Sequence, residues 1–141
     1  MKNHALRQPY WVLKLAFGAV PIVAGFDKFT NLLTDWTQYL SPLVARVVPA
    51  FAFMRVVGVI EIIAGALVLS NQTRLGAYVV ALWLVGIALN LLSTGHFLDV
   101  AVRDLVMACG AFTLAKLEEA GVGRQTGDVA EPAAGWRNEH A

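Results

Sequence analysis

The run Val56–Leu69 contains one charged side chain, Glu61, and the run Leu75–Leu92 contains none. Uncharged runs of this length constrain the chain more than any motif in it. The hydrocarbon core of a bilayer is roughly 30 Å thick and takes about 20 apolar residues to cross as a helix. Inside that core every backbone polar group has to be bonded within the chain, so only helices and closed barrels survive there. The blocks here are continuous rather than alternating, which selects helices. With 57% hydrophobic and 15% charged residues, the chain falls well short of the roughly 25% charge of soluble domains. A soluble helical bundle would carry polar faces, and the second and third apolar blocks lack them. The expectation is an all-α polytopic membrane protein, an antiparallel bundle of four transmembrane helices.

The four spans are placed at about 10–29, 50–70, 75–92 and 101–117, inside a membrane domain of residues 10–117. A short cytoplasmic lead, 1–9, precedes it, and a polar flexible cytoplasmic tail, 118–141, follows. No small-residue cleavage site follows the first apolar block, so no cleaved signal is expected. Lys14, Gly18, Pro21, Gly25 and Lys28 share one face of the first span. Pro21 should kink that helix unless its neighbours compensate. Residues 30–49 read as a short helix or helix-turn on the membrane surface, with Trp36 and Tyr39 at headgroup level; a lid over the bundle is the functional alternative. The polar turn Asn71–Arg74 makes spans two and three antiparallel neighbours. In span four only Leu105–Ala115 is cleanly apolar, so Arg103 and Asp104 lie at the interface or point inward. Asp104, Ala108, Ala111 and Ala115 form a small-residue face suited to close packing. Trp136 in the tail reads either as a docking anchor or as a stray aromatic. The Lys/Arg balance favours both termini on the cytoplasmic side: that side holds Lys2, Arg7, Lys14, Arg74, Lys116, Arg124 and Arg137, and the other holds Lys28, Arg46, Arg55 and Arg103.

Glu61 is the costly residue. A carboxylate at a helix centre in a membrane is penalised by roughly 2.5–3.5 kcal/mol on insertion scales, so it should face the interior with a partner. At about 100° per residue, Met54, Gly58, Glu61 and Gly65 fall on one face, and the glycines admit a close neighbour. Arg103, Lys28 and Arg55 are all open as the partner. The topology gathers Lys28, Arg55, Glu61, Asn90, His96, Arg103 and Asp104, with Asp27 and Asp99, in the outward half of the bundle. The first seven are the candidate ligand site or buried polar network. Asp27, Lys28, Asp99 and Arg103 read equally well as solvated helix ends, and Asn90 as the donor of an interhelical hydrogen bond.

Several chemistries are set aside. His4, His96 and His140 are too scattered to hold a metal or a pair of haem contacts. One cysteine, Cys109, excludes an internal disulfide or a two-cysteine relay and reads as a small core residue. There is no phosphate loop, no catalytic constellation, no intrinsic cofactor and no basic run for nucleic acid.

Three stretches together resemble the DoxX/DoxX-like family of small four-helix bacterial membrane proteins: Gly18-Ala19-Val20-Pro21-Ile22-Val23-Ala24-Gly25-Phe26-Asp27-Lys28-Phe29, then Gly58-Val59-Ile60-Glu61-Ile62-Ile63-Ala64-Gly65, then Arg103-Asp104 ahead of Leu114-Ala115-Lys116-Leu117. The resemblance covers about 12–117. It implies a multi-pass protein of the bacterial cytoplasmic (inner) membrane, and for some relatives an association with thiosulfate:quinone oxidoreduction or other redox complexes. Carried over by position, it points to Lys28, Glu61, Arg103 and Asp104.

Two functions of different class follow. One is a quinone-linked redox subunit: a polar mouth at Glu61 and Arg103 above apolar Trp83, Phe53 and Phe112 offers a slot for a quinone, and a partner subunit would carry the electrons. The other is an accessory subunit of a larger membrane complex, or a homo-oligomer, with the buried charges as an internal clamp. A small transporter is the weaker third, since four helices are few for a pathway. Membrane lipids are contacts in every case.

Overall fold

Pro9 and Pro21 both lie inside the first helix, α1 (His4–Thr30), which continues through them. The structure is a computed structural model, and it describes residues 4–124. After α1 come a single 3-10 turn (Trp36–Tyr39), a short α2 (Pro42–Ala45) and the long helices α3 (Ala50–Leu69), α4 (Thr73–Thr94) and α5 (Leu98–Glu119). There is no strand among the described residues. Each long helix starts or ends within a few residues of the expected apolar block, except that α1 begins six residues earlier than expected, at His4 rather than Tyr10.

The ends have local causes. Asn31 closes α1 in the left-handed region at φ 52, a conformation asparagine tolerates better than most side chains. The Thr73 hydroxyl donates to the Val68 carbonyl at 2.9 Å, tying the end of α3 to the start of α4. Gly95, at φ 72, terminates α4, the usual work of a glycine just past a helix. Phe97 also takes a left-handed φ of 59. Its ring stacks edge-on against Tyr39 at 4.7 Å, a contact that offsets the backbone cost.

Glycines set the register of α1 on α3. A Cβ on Gly25 would lie 2.5 Å from the Gly58 carbonyl oxygen, and a Cβ on Gly58 would lie 2.7 Å from that of Gly25. One step further along, a Cβ on Gly65 would run into the Gly18 carbonyl. The two helices are therefore antiparallel and touch backbone to backbone at two places, Gly25 and Gly58 facing each other and Gly65 lying against the Gly18 carbonyl, while a Cβ on Gly18 would meet the Leu69 side chain. Counting three residues on from Gly25 and Gly58 sets Lys28 level with Arg55 and Glu61 level with Ile22. The second tight pair is α4 with α5. Here the close approach comes from alanines: Ala101, Ala108, Ala111 and Ala115 of α5 are buried, as are Ala77 and Ala88 of α4. Contact between α3 and α4 joins the two pairs, and Gly76 lets the α4 backbone pass against Val68.

What remains outside is apolar. Val12, Val20 and Phe26 on α1, Val56 and Ile63 on α3, Leu82 and Leu89 on α4, and Val102 and Val106 on α5 are all exposed. An apolar exterior on this scale is a surface for lipid or another protein rather than for water. The helices α1, α3 and α4 are long and apolar enough to cross a membrane; α5 is not by composition. Asp99, Arg103 and Asp104 in its first turns and Lys116, Glu118 and Glu119 in its last account for that.

Two expectations are corrected. Cys109 is exposed, not a core residue: the buried face of α5 is the alanine stripe, and Cys109 falls beside it. The tail is packed at its start, since Val122 is buried in the core beside Tyr10 and Leu114. The expectations for Trp136 and the rest of the tail fall outside the described residues.

Gly25→Ala and Gly58→Ala are each expected to destabilise the fold by about 1–3 kcal/mol, the usual range for overpacking. Gly86→Ala, where an added Cβ meets nothing within 4 Å, is expected to be neutral or to stabilise by up to ~1 kcal/mol through helix propensity. Denaturation of the detergent-solubilised protein would rank the three.

Candidate functional site

Glu61 is buried and pairs with Lys28, not with Arg103 or Arg55. Lys28 Nζ donates to Glu61 Oε2 at 2.5 Å, and both side chains are under one-tenth exposed. The register puts their Cα levels six residues apart along the helices, an offset of about 9 Å at 1.5 Å per residue. The long lysine side chain spans much of that gap by bending inward from near the end of α1. Taking two charges out of water costs several kcal/mol each, so such a pair is retained only with good geometry and further partners.

Those partners come from the other elements. The Trp36 ring lies over the Lys28 ammonium, 3.8 Å from Nζ to the ring centre, a cation–π contact that strengthens when dry. From α4 comes Trp83, whose indole N–H lies beside the Glu61 carboxyl. Its geometry falls short of a hydrogen bond, and Nε1 is buried and unpaired. From α5 comes Asp104, buried at 7% exposure, whose charged neighbour is Glu61. Each long helix thus gives one side chain: Lys28, Glu61, Trp83 and Asp104.

Above the pair, residues 31–41 form a strap across the end of the bundle. Asp27 is its inner post: its carboxylate accepts from the Leu32 and Leu33 amides at 3.0 and 3.1 Å and from Trp36 Nε1 at 2.7 Å. Asn90 is its outer clamp. Its amide donates to the Tyr39 carbonyl at 2.8 Å and its oxygen accepts from the Ser41 amide at 3.1 Å. Asn90 therefore holds the strap's backbone, where an interhelical bond was expected. Trp36 and Tyr39 are half-buried and turn inward, onto Lys28 and Phe97. In sequence an aromatic that caps a charge and one that sits at headgroup level look alike.

Of the seven candidate residues, Lys28, Glu61 and Asp104 come together and Asn90 supports the strap over them. Arg55, His96 and Arg103 are exposed and outside the cluster. Arg55 lies over the Phe51 ring at 4.2 Å, and His96 sits in the α4–α5 turn, its amide donating to Thr94 Oγ1 at 3.1 Å. Sequence reasoning missed the roles of Asp27, Trp36 and Trp83. The one available signal was for Trp83, which shares a helical face with Asn90.

The far end of the bundle carries a different polar set. Glu119 accepts from Tyr78 Oη at 2.6 Å and Lys116 Nζ at 2.9 Å, and pairs with Arg74 Nε at 3.2 Å. The Tyr78 hydroxyl first, and then Lys116, hold the Glu119 carboxyl below the usual carboxylate range. A depressed folded-state pKa means the contribution is present above the ordinary carboxylate pKa and is lost as pH falls through the folded value. Beside it, Tyr10 donates to Glu118 at 2.6 Å.

Among the described residues, no group of three His, Cys, Asp or Glu side chains is placed to hold a metal ion. Comparisons with protein-family models, with curated proteins and with solved structures find no match.

Lys28→Met alone is expected to cost about 3–5 kcal/mol, because it strands the buried Glu61 carboxylate, and Glu61→Leu alone to cost less, because Lys28 can then turn to Asp104. The double variant is expected to recover most of the Lys28→Met loss, which a double-mutant cycle in detergent or lipid measures. At the other end, acidification below the carboxylate range is expected to loosen the last turn of α5, and Glu119→Gln to abolish that acid dependence, read by amide hydrogen exchange.

Proposed function

We propose that the chain is an integral membrane subunit whose four long helices cross the bilayer as an antiparallel bundle, with both ends on the cytoplasmic side. In this reading α5 completes the bundle despite its charges, because Asp104 faces inward and Val102, Val106 and Phe112 face outward. The buried cluster takes the polar head of a quinone, and the protein serves a redox complex of the bacterial inner membrane. The observation that carries this is the Trp83 N–H, buried without a hydrogen-bond partner among the described residues, together with the buried Asp104 side chain. Buried polar groups are nearly always bonded, and an unused donor and a buried acid beside an apolar interior suit a carbonyl ligand. Electrons would come from a partner subunit, as the resemblance to DoxX-like proteins implies.

The accessory reading has its own support. Glu61 and Trp36 already answer the charge of Lys28, as a clamp that joins α1, α3 and the strap would require. In that case the apolar exterior docks on another subunit and no small molecule is bound.

Native mass spectrometry of protein extracted gently from its own membranes separates the two. A quinone mass on the wild-type protein that is lost in Trp83→Phe, which keeps the ring and removes the N–H, is the expected result. Stoichiometric protein partners with no small ligand would overturn the quinone site and leave the accessory subunit.

A further inference from the structure

The cluster contains one ammonium group and two carboxyl groups, and the ammonium group is already spoken for. Lys28 Nζ is 2.5 Å from Glu61 Oε2. Asp104, buried at 7% exposure, makes no hydrogen bond or ion pair among the described residues. No other cation among the described residues pairs with it. On α5, Arg103 is the next residue but is exposed. On α3, Arg55 is exposed and lies over the Phe51 ring. On α1 the only cation at this level is Lys28, and α4 brings Trp83 and no titratable group. The neighbouring strap contributes Asp27, whose carboxylate is bound to backbone amides and Trp36.

Two ionised carboxylates with one ammonium would leave a net negative charge inside the apolar layer, with a like charge beside it. Both conditions disfavour the ionised acid. A proton on one carboxyl removes the imbalance, and Glu61 is the worse host because it holds Lys28. We propose that Asp104 carries an exchangeable proton and that Lys28, Glu61 and Asp104 together form a proton-binding site within the bundle. Uptake converts the Asp104 carboxylate to the acid, and the cluster goes from a charge of minus one to zero. Release reverses it. Asp104 lies in the second turn of α5, about 9 Å along the helix from Leu98 at 1.5 Å per residue, so the strap end is the short route for the proton. The site needs no quinone and stands apart from that reading.

The test is infrared difference spectroscopy of the full chain in lipid vesicles, stripped of quinone, exchanged between neutral and alkaline buffer. Wild-type protein is expected to show the carbonyl stretch of a protonated carboxylic acid at neutral pH, lost on the alkaline side. The band should move when aspartate carries heavy carbon in its side-chain carboxyl, and not when glutamate does. It should vanish in Asp104→Asn. In Glu61→Gln it should also vanish at neutral pH, because Lys28 is then free to hold Asp104 as the carboxylate. Absence of a protonated-acid band in the wild type, as when a small monovalent cation neutralises the cluster instead, would overturn the proposal. So would a band that follows glutamate labelling, or one that persists unchanged in Glu61→Gln. The labelling needs no substitution, so the proposal stays testable even where a variant fails to fold.

Discussion

A charge buried among apolar helices is the interaction on which the rest of this structure depends. Glu61 sits in the middle of α3 with hydrocarbon on either side, and nothing on α3 itself answers it. Lys28 does, from a helix that two glycine contacts bring to backbone distance. The pair therefore presupposes the register, and the register brings the pair together. Move α1 by one turn relative to α3 and the glycines lose their counterparts, and with them the close approach that lets Lys28 reach its carboxylate. Such mutual dependence is what gives a buried ion pair its best-attested use, the choice of one arrangement over its neighbours, even where its net contribution to stability is small.

The strap extends the same logic to the mouth of the bundle. Asp27 folds the chain back at the end of α1, which lays Trp36 over the Lys28 ammonium. Asn90, from α4, clamps the backbone after the aromatic turn, and Phe97 stacks on Tyr39 where α5 begins. The lysine is thus held from below by a carboxylate and from above by an indole. Asp104 and Trp83 meet the pair from the other two helices.

The helices were legible in the sequence because uncharged runs of this length have few other fates, and the burial of Glu61 was legible from its cost. Its partner was not. Lys28, Arg55 and Arg103 lie at similar depths, and only the pairing of Gly25 with Gly58 selects among them. That pairing is a fact of three dimensions; the spacing of glycines along each helix suggests close packing without saying against what. The role of Asn90 and the partners of Trp36 were hidden for a related reason. A polar residue near a helix end and an aromatic in a connecting segment carry the same sequence pattern whether they face a neighbouring helix, the headgroups or a strap. Cys109 went astray because α5 has alanines on its buried face and larger apolar residues outside, the reverse of a soluble helix, so that small size in this helix does not by itself mean burial.

The most direct measurement is solid-state NMR of the full chain in lipid bilayers, with nitrogen-labelled lysine side chains and carbon-labelled glutamate carboxyls. Two lysine–glutamate contacts at hydrogen-bond distance are expected in the wild type, and in Lys28→Met the coupling is expected to fall to that of Lys116–Glu119 alone. Retention of the full lysine–glutamate coupling in Lys28→Met would mean that Lys28 and Glu61 do not meet, and the register, the strap and the cluster would all have to be redrawn.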